Sequence, residues 1–203
     1  MDNQIEKQLP VFRQHMDRWV IFNDEEWAVF QKYLMIKTLH KKDYFTRSGD
    51  VCKELGFILS GSVRLYHVKD GEEITGYFSL NNEFISSYTS FLRQKPGLPY
   101  IQALEDVLLI TLSYSALQQL LNHPVTGYKM ERFGRLMAEN LIFCYEDRMQ
   151  GFVTQTPEER YRMLLSSNPR MLQHIPQHYL ANYLGITATS LSRIRKRIFQ
   201  PKK

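Results

Sequence analysis

Twenty residues near the C-terminus, Gln177 to Lys196 (QHYLANYLGITATSLSRIRK), restrict the fold more than any other stretch. Apolar side chains fall at Leu180, Leu184, Ile186, Leu191 and Ile194, with the small residues Ala181 and Gly185 between them. That spacing predicts two short helices that cross steeply. Such a crossing needs a small residue where the axes approach, here Ala181, and a turn residue free to take positive φ, here Gly185. Thr187 is a competent N-cap for the second helix. The face turned away from the shared core would carry Thr187, Ala188, Thr189, Ser190, Ser192, Arg193, Lys196 and Arg197. Short polar groups and cations in that arrangement suit entry into the major groove of double-stranded DNA. Gln177 and His178, at the start of the first helix, complete the candidate DNA-facing set.

Charge supports a nucleic-acid partner. From Arg160 to Lys203 there are nine Lys or Arg and no acid, whereas residues 1–159 hold seventeen Lys or Arg against twenty-one Asp or Glu. The net +5 is therefore a body of −4 joined to a tail of +9. A one-signed segment beside a recognition-type helix is the electrostatic footprint expected for a phosphate-backbone partner. The basic residues alternate with core Leu, Ile and Tyr, so this tail should fold. The alternative is two ordinary amphipathic helices with a solvated basic face.

With 43% hydrophobic and 13% aromatic residues the chain can build real cores, which excludes disorder. Met1-Asp2-Asn3 is not a basic export leader, and no apolar run approaches the roughly 18 residues of a membrane span. A cytoplasmic location is expected. Cys52 and Cys144 stand apart, without a C-x-x-C or a neighbouring His, which argues against a metal site or a disulfide framework. Two buried, reduced thiols are expected. The six histidines, His15, His40, His67, His123, His174 and His178, are scattered, and no nucleophile–base or glycine-rich phosphate motif accompanies them. No catalytic residues are assigned, and an enzyme is the disfavoured class.

Ahead of the tail, Ile5, Leu9, Phe12 and Met16 lie at helical spacing, and Asn23 with Glu26 forms a capping-box pattern before Trp27, Phe30 and Leu34. From Lys37 to about Leu112 the period falls to two. Tyr44–Thr46 leads to Gly49-Asp50, Phe57–Leu59 to Gly61, Val63–Tyr66 to Asp70-Gly71, and Ile74–Leu80 to Asn81-Asn82. Strands punctuated in this way predict an antiparallel sandwich or roll. A loop over Arg93–Pro99 and closing strands over Tyr100–Leu112 follow, then a short helix from Ser115 to Leu121, broken at His123-Pro124.

Val125 to about Gln150 contains no proline and carries Met130, Phe133, Met137, Leu141, Cys144 and Tyr145 on one helical face. A helix of that length between two modules predicts a dimer seam along this stripe. The alternative is a helix packed wholly on its own β domain. Gly151 is expected to end it. Thr156-Pro157-Glu158-Glu159 then opens another helix with an N-cap, a proline at the first position and a capping-box glutamate. The expected organisation is a β-roll over 1–124, a dimerisation helix over 125–150 and a DNA-binding unit over 155–203.

This order of parts resembles the Crp/Fnr superfamily of bacterial transcription regulators, the catabolite activator protein family. The resemblance is carried by Phe57-Ile58-Leu59-Ser60-Gly61-Ser62-Val63-Arg64, and by Leu180 to Thr187 with Leu191-Ser192-Arg193-Ile194. It implies an α+β fold: an antiparallel β-roll, double-stranded β-helix or jelly-roll-like, as a cyclic-nucleotide-binding-like sensor domain, then a long dimerisation helix and a C-terminal helix-turn-helix. It further implies a homodimer on a two-fold symmetric operator, with RNA polymerase as a further partner and no membrane.

Three departures from the family qualify it. Where the nucleotide-binding members hold the cyclic phosphate with a Gly-Glu pair and a later Arg-Ser pair, this chain has Phe84-Ile85-Ser86-Ser87-Tyr88 and Pro99-Tyr100. With neither the arginine nor the glutamate in place, cyclic AMP is not the expected ligand, and no cofactor is assigned. Phe84, Ile85, Ser86, Ser87, Tyr88 and Tyr100 would line a more apolar effector pocket with Arg64 as a substitute cation; alternatively the apolar residues fill the roll and Arg64 is an exposed strand arginine. Ala188 and Thr189 stand where the family often has base-reading Arg and Glu, which implies a different operator. The sequence continues only seven residues past Lys196, so most of the β-hairpin wing would be lacking, its backbone contacts absent or replaced by Lys202-Lys203. A competing reading is a degenerate module that acts through protein partners and binds nucleic acid without specificity.

Overall fold

Alternation of apolar and polar residues between Asx and Gly turns produces eight strands: β1 (Leu34–Leu39), β2 (Tyr44–Thr46), β3 (Glu54–Ser60), β4 (Val63–Lys69), β5 (Glu72–Ser79), β6 (Phe84–Ile85), β7 (Tyr100–Ala103) and β8 (Val107–Ser113). They form two four-stranded antiparallel sheets, ordered β1-β8-β3-β6 and β2-β7-β4-β5. The β4–β5 hairpin turns at Asp70 (φ 54°) and Gly71 (φ 82°), two consecutive positive φ values that match the right-handed twist of the strands. Between the sheets Leu39, Ile58, Val63, Ile85, Ile101, Ala103, Val107 and Leu109 fill the interior of the roll. The computed structural model describes residues 3–199. The expectations about a wing and about Lys202-Lys203 lie outside the described residues.

Helices cover the outer face of the first sheet. In α1 (Asn3–Met16) Ile5, Leu9, Phe12 and Met16 are all buried, as their spacing predicts. The Asn23–Glu26 capping box forms and opens α2 (Asp24–Phe30), which buries Trp27 and Phe30. Leu34 departs from expectation: it starts β1 after a 3₁₀ turn over Gln31–Tyr33 and does not belong to the helix. Phe12 joins the layers, with its ring centroid 5.0 Å from Phe57 of β3 and 6.1 Å from both Trp27 and Phe30. Two short helices, α3 (Tyr88–Arg93) and α4 (Tyr114–Leu121), flank the roll.

The long helix α5 runs from Gly127 to Thr154, so Gly151 does not end it. A helix-interior glycine costs only about 1 kcal/mol, and the Gly151 carbonyl is well used, accepting from Gln155 N–H and Arg160 Nη1. The stop comes from Pro157, which excludes the α conformation at the residue before it. Accordingly Gln155 and Thr156 are extended, and Thr156 caps α6 (Pro157–Ser167) in the expected capping box with Glu159. A helix not foreseen, α7 (Pro169–His174), precedes α8 (Gln177–Tyr183) and α9 (Ala188–Phe199). Among the described residues no helix is long and apolar enough to cross a membrane.

Candidate nucleic-acid interface

The two helices predicted over Gln177–Lys196 form, as α8 and α9. Leu180, Ala181, Leu184, Leu191 and Ile194 are buried in one core with Tyr161, Leu164, Met171 and Ile175, and Ile186 is half-buried beside them. Gly185 has φ 72°, which favours glycine, and a Cβ there would stand 3.0 Å from the ring of Phe152 of α5, which would have to shift. Thr187 caps α9, its Oγ1 accepting from Ser190 N–H at 3.2 Å. On the outer face Thr187, Ala188, Thr189, Ser192, Arg193, Lys196 and Arg197 are exposed and Ser190 is half-buried; Gln177 and His178 are exposed at the start of α8.

The basic tail divides into cations that hold the fold and cations that face outward. Arg160 is half-buried and donates to the carbonyls of Gln155 (2.6 Å) and Leu184 (2.9 Å), tying α6 to the turn; burial, with the nearby Arg148, lowers its pKa. Arg162 and Arg197 both pair with Glu158, at 3.0 and 2.7 Å, and their hydrogen bonds hold that carboxyl below the usual carboxylate range. Arg197 is thus exposed but engaged. Among the described residues Arg193, Arg195 and Lys196 form no ion pair, so the outward charge concentrates on α9. Arg195, half-buried, was absent from the predicted set because it sits between core and outer face.

The expected effector residues do not converge. Arg64 is neither an exposed strand arginine nor a pocket cation: only 1% exposed, it lies on the outer face of the second sheet, paired with Glu73 and stacked between Tyr66 and Tyr179. Tyr100 stacks on Tyr66 on that same face, with centroids 5.0 Å apart. Phe84 instead packs against Phe57 and Phe133, and Ile85 fills the roll. Ser86 Oγ donates to Glu54 O, and Tyr88 reaches toward Gly134 O of α5. Ser87 and Ser90 close against Gly97, where a Cβ would stand 2.7 Å from Ser87 Oγ. Strict alternation along strands puts Arg64 and Tyr100 on the face opposite the interior, so positions matched to the family do not meet in one pocket here.

The predicted dimer stripe also needs correction. Met130, Phe133 and Met137 are buried in their own chain against the roll; Leu141 and Cys144 are half-buried, and of the set only Tyr145 is exposed, at 65%. The exposed apolar side chains in the second half of α5 are instead Ile142, Tyr145, Met149 and Phe152, with Phe143 and Val153 beside them; in the first half Tyr128 is exposed. Positions 142, 145, 149 and 152 follow the 3-4-3 spacing of a helix seam, a signal present in the sequence one face away from the stripe first read. Cys52 is buried, whereas Cys144 is half-buried, and both are free thiols.

Residues 36–123 match the family of the cyclic nucleotide-binding domain. Among solved structures, FixK2 from Bradyrhizobium japonicum superposes with a TM-score of 0.68 at 19% identity, over 81% of this chain and 84% of that one. The c-di-GMP responsive global regulator CLP of Xanthomonas campestris gives 0.66 at 18% identity over 87% and 91% of the two chains. The catabolite activator protein of Thermus thermophilus gives 0.54 at 19% identity over 87% and 84%. The chain has the fold of the Crp/Fnr regulators. No curated protein matches the sequence. The matched residues take in most of β1 and all of β2 to β8, and within them Ser87 and Ser90 lie close against Gly97.

Proposed function

We propose that this chain is a sequence-specific DNA-binding transcription regulator that acts as a homodimer on a two-fold symmetric operator. The observation that carries this reading is the outer face of α9, where Thr187, Thr189, Arg193 and Lys196 stand exposed with no acid paired to either cation among the described residues. An arginine at that position can present two parallel donors to guanine O6 and N7, while Lys196 and Gln177 suit phosphate contacts. The exposed seam at Ile142, Tyr145, Met149 and Phe152 supplies the surface on which a second copy of α5 packs.

The sensor reading is that the roll does not bind cyclic AMP. Its interior is filled with side chains such as Leu39, Ile58, Ile101 and Leu109, and the open cleft of about 600 Å³ on the roll is lined by residues such as Lys37, Thr46, Asp50, Lys53 and Glu54, none of them in the Phe84–Tyr88 or Pro99-Tyr100 segments. Ser90 Oγ, in α3 just after the Phe84–Tyr88 segment, accepts from Cys52 N–H at 3.0 Å and donates to Lys95 O at 2.5 Å. Calorimetry with millimolar cyclic AMP should show no saturable heat; a micromolar isotherm overturns this part.

Selection of bound sequences from random DNA tests the main reading. The expected product is a symmetric motif whose half-sites lie about 34 Å apart, one turn of the duplex. Equal affinity for all sequences, with a steep salt dependence, would identify a nonspecific binder.

A further inference from the structure

The junction between roll and helix-turn-helix combines an apolar patch, Phe78 and Leu80 packed into the helix-turn-helix core, with directional polar contacts. β5 is an edge strand, and an edge leaves peptide N–H and C=O groups without a neighbouring strand. The Asn182 side chain of α8 takes that place: its Oδ1 accepts Thr75 N–H at 2.5 Å and its Nδ2 donates to Glu73 O at 2.8 Å. A side-chain amide carries the same donor and acceptor as the peptide it replaces, so α8 completes the sheet through one residue. Thr75 O in turn accepts from Arg148 of α5 at 3.3 Å, and the same nitrogen donates to Tyr183 O of α8 at 3.2 Å. Roll, long helix and helix-turn-helix therefore meet at one strand segment.

Beside this contact lies Arg64. Its guanidinium is 4.0 Å from the Tyr66 ring centroid of the roll and 3.8 Å from that of Tyr179 on α8, and it pairs with Glu73. A planar cation held between two rings fixes the distance and tilt of the surfaces that carry them. Apolar contact alone, as between Phe78 and Tyr183, tolerates sliding far better. The junction also buries two polar atoms without partners, Arg64 Nε and Thr75 Oγ1, so it is costly compared with an apolar seam of the same size. What it provides is a single setting of one module on the other.

We propose that Asn182 and Arg64 are positioning residues that lock the helix-turn-helix at one orientation on the roll, and thereby set the half-site spacing that the dimer accepts. The second part rests on the dimeric DNA-binding reading above. Adding one base pair between half-sites turns them by about 35° and separates them by about 3.4 Å. A module held by hydrogen bonds and a stacked cation cannot follow that change, whereas a released one can.

Two measurements test the proposal on the full chain. Amide hydrogen exchange at Thr75, without DNA, should be slow in the wild type and speed up at least about tenfold in Asn182→Ala. Binding to operators with one base pair inserted or removed at the centre should be weaker than to the parent site by about tenfold or more in the wild type. In Asn182→Ala and Arg64→Lys that difference should shrink to within about threefold, with single-base preferences inside each half-site unchanged. Faster exchange with spacing preference intact overturns the role in spacing, and unchanged exchange in Asn182→Ala overturns the lock itself. A wild type without any preferred site removes the DNA-binding reading and the spacing role with it, while the exchange result still decides whether the lock exists. If Arg64→Lys fails to fold, Asn182→Ala, a half-exposed surface change, carries both arms.

Discussion

The two halves of α5 both carry an apolar stripe but have opposite surroundings. In the first half Met130, Phe133 and Met137 are under 6% exposed, pressed against the roll beside Trp19, Phe57 and Phe84. In the second half Ile142, Tyr145 and Met149 are 54–65% exposed, although the helix continues unbroken. The core-facing side runs on through Leu141, Cys144 and Arg148 toward Tyr77, β5 and Tyr183, so the chain covers one face along most of the helix. Among the described residues nothing lies over the other face. Periodicity identifies an apolar face but carries no information about whether the covering surface comes from the same chain.

If the second half meets another copy and the first does not, substitutions in the two should fail in different ways. Ile142→Glu with Tyr145→Glu should give folded monomers in sedimentation and weaken operator binding by about 10²–10⁴-fold, because avidity between half-sites is lost. Retained dimers would place the interface elsewhere. Phe133→Ala should leave the dimer intact but cost about 3–5 kcal/mol of stability in denaturant unfolding. Dissociation without destabilisation would reverse the assignment of the halves.

The same contrast bears on DNA reading. Arg193→Ala should cost about 1–3 kcal/mol per half-site and relax one base preference, while Lys196→Ala weakens all sequences alike and lowers the salt slope by about one. In the monomeric double variant the Arg193 cost should be felt once, and in the dimer twice. A uniform loss across sequences for Arg193→Ala would make it a phosphate contact.

The smallest effect lies where the two halves of α5 meet. Glu83, close to Tyr77 and Cys144, accepts from Leu80 N–H at 3.2 Å, yet burial pushes its carboxyl up to about 7. A raised folded-state pKa means that the native chain holds the proton longer than the unfolded one. Its contribution is therefore present at pH below about 4.5 and lost as pH rises through 7. Stability of the wild type relative to Glu83→Gln should fall by on the order of 1 kcal/mol between pH 5 and 8 once solvent screening is allowed for. A pH-independent difference would show that the carboxyl titrates normally.

Much of the architecture was legible because it rests on local rules. The Asn23 and Thr156 capping boxes, the Asp70-Gly71 turn, the α1 stripe and the Ala181/Gly185 turn between α8 and α9 all form where short-range chemistry placed them. The errors share one origin. Gly151 was read as a terminator from its intrinsic cost, but the tertiary contact of Phe152 with Arg160 and its close approach to Gly185 favour carrying the helix past it.

What the sequence by itself determined was most of the elements, α7 and the end of α5 aside, with their caps and turns, the basic tail and the polar outer face of α9, since each depends on residues within one or two turns of one another. Only the tertiary structure decided which cations are engaged and which are free, that Arg64 is buried at a junction instead of lining a pocket, and which face of α5 is left open. Those outcomes depend on partners far away in the chain, Glu158 for Arg197, Tyr179 for Arg64 and Glu73 for Asn182. A residue's environment is set by what the fold brings against it, and no local period encodes that.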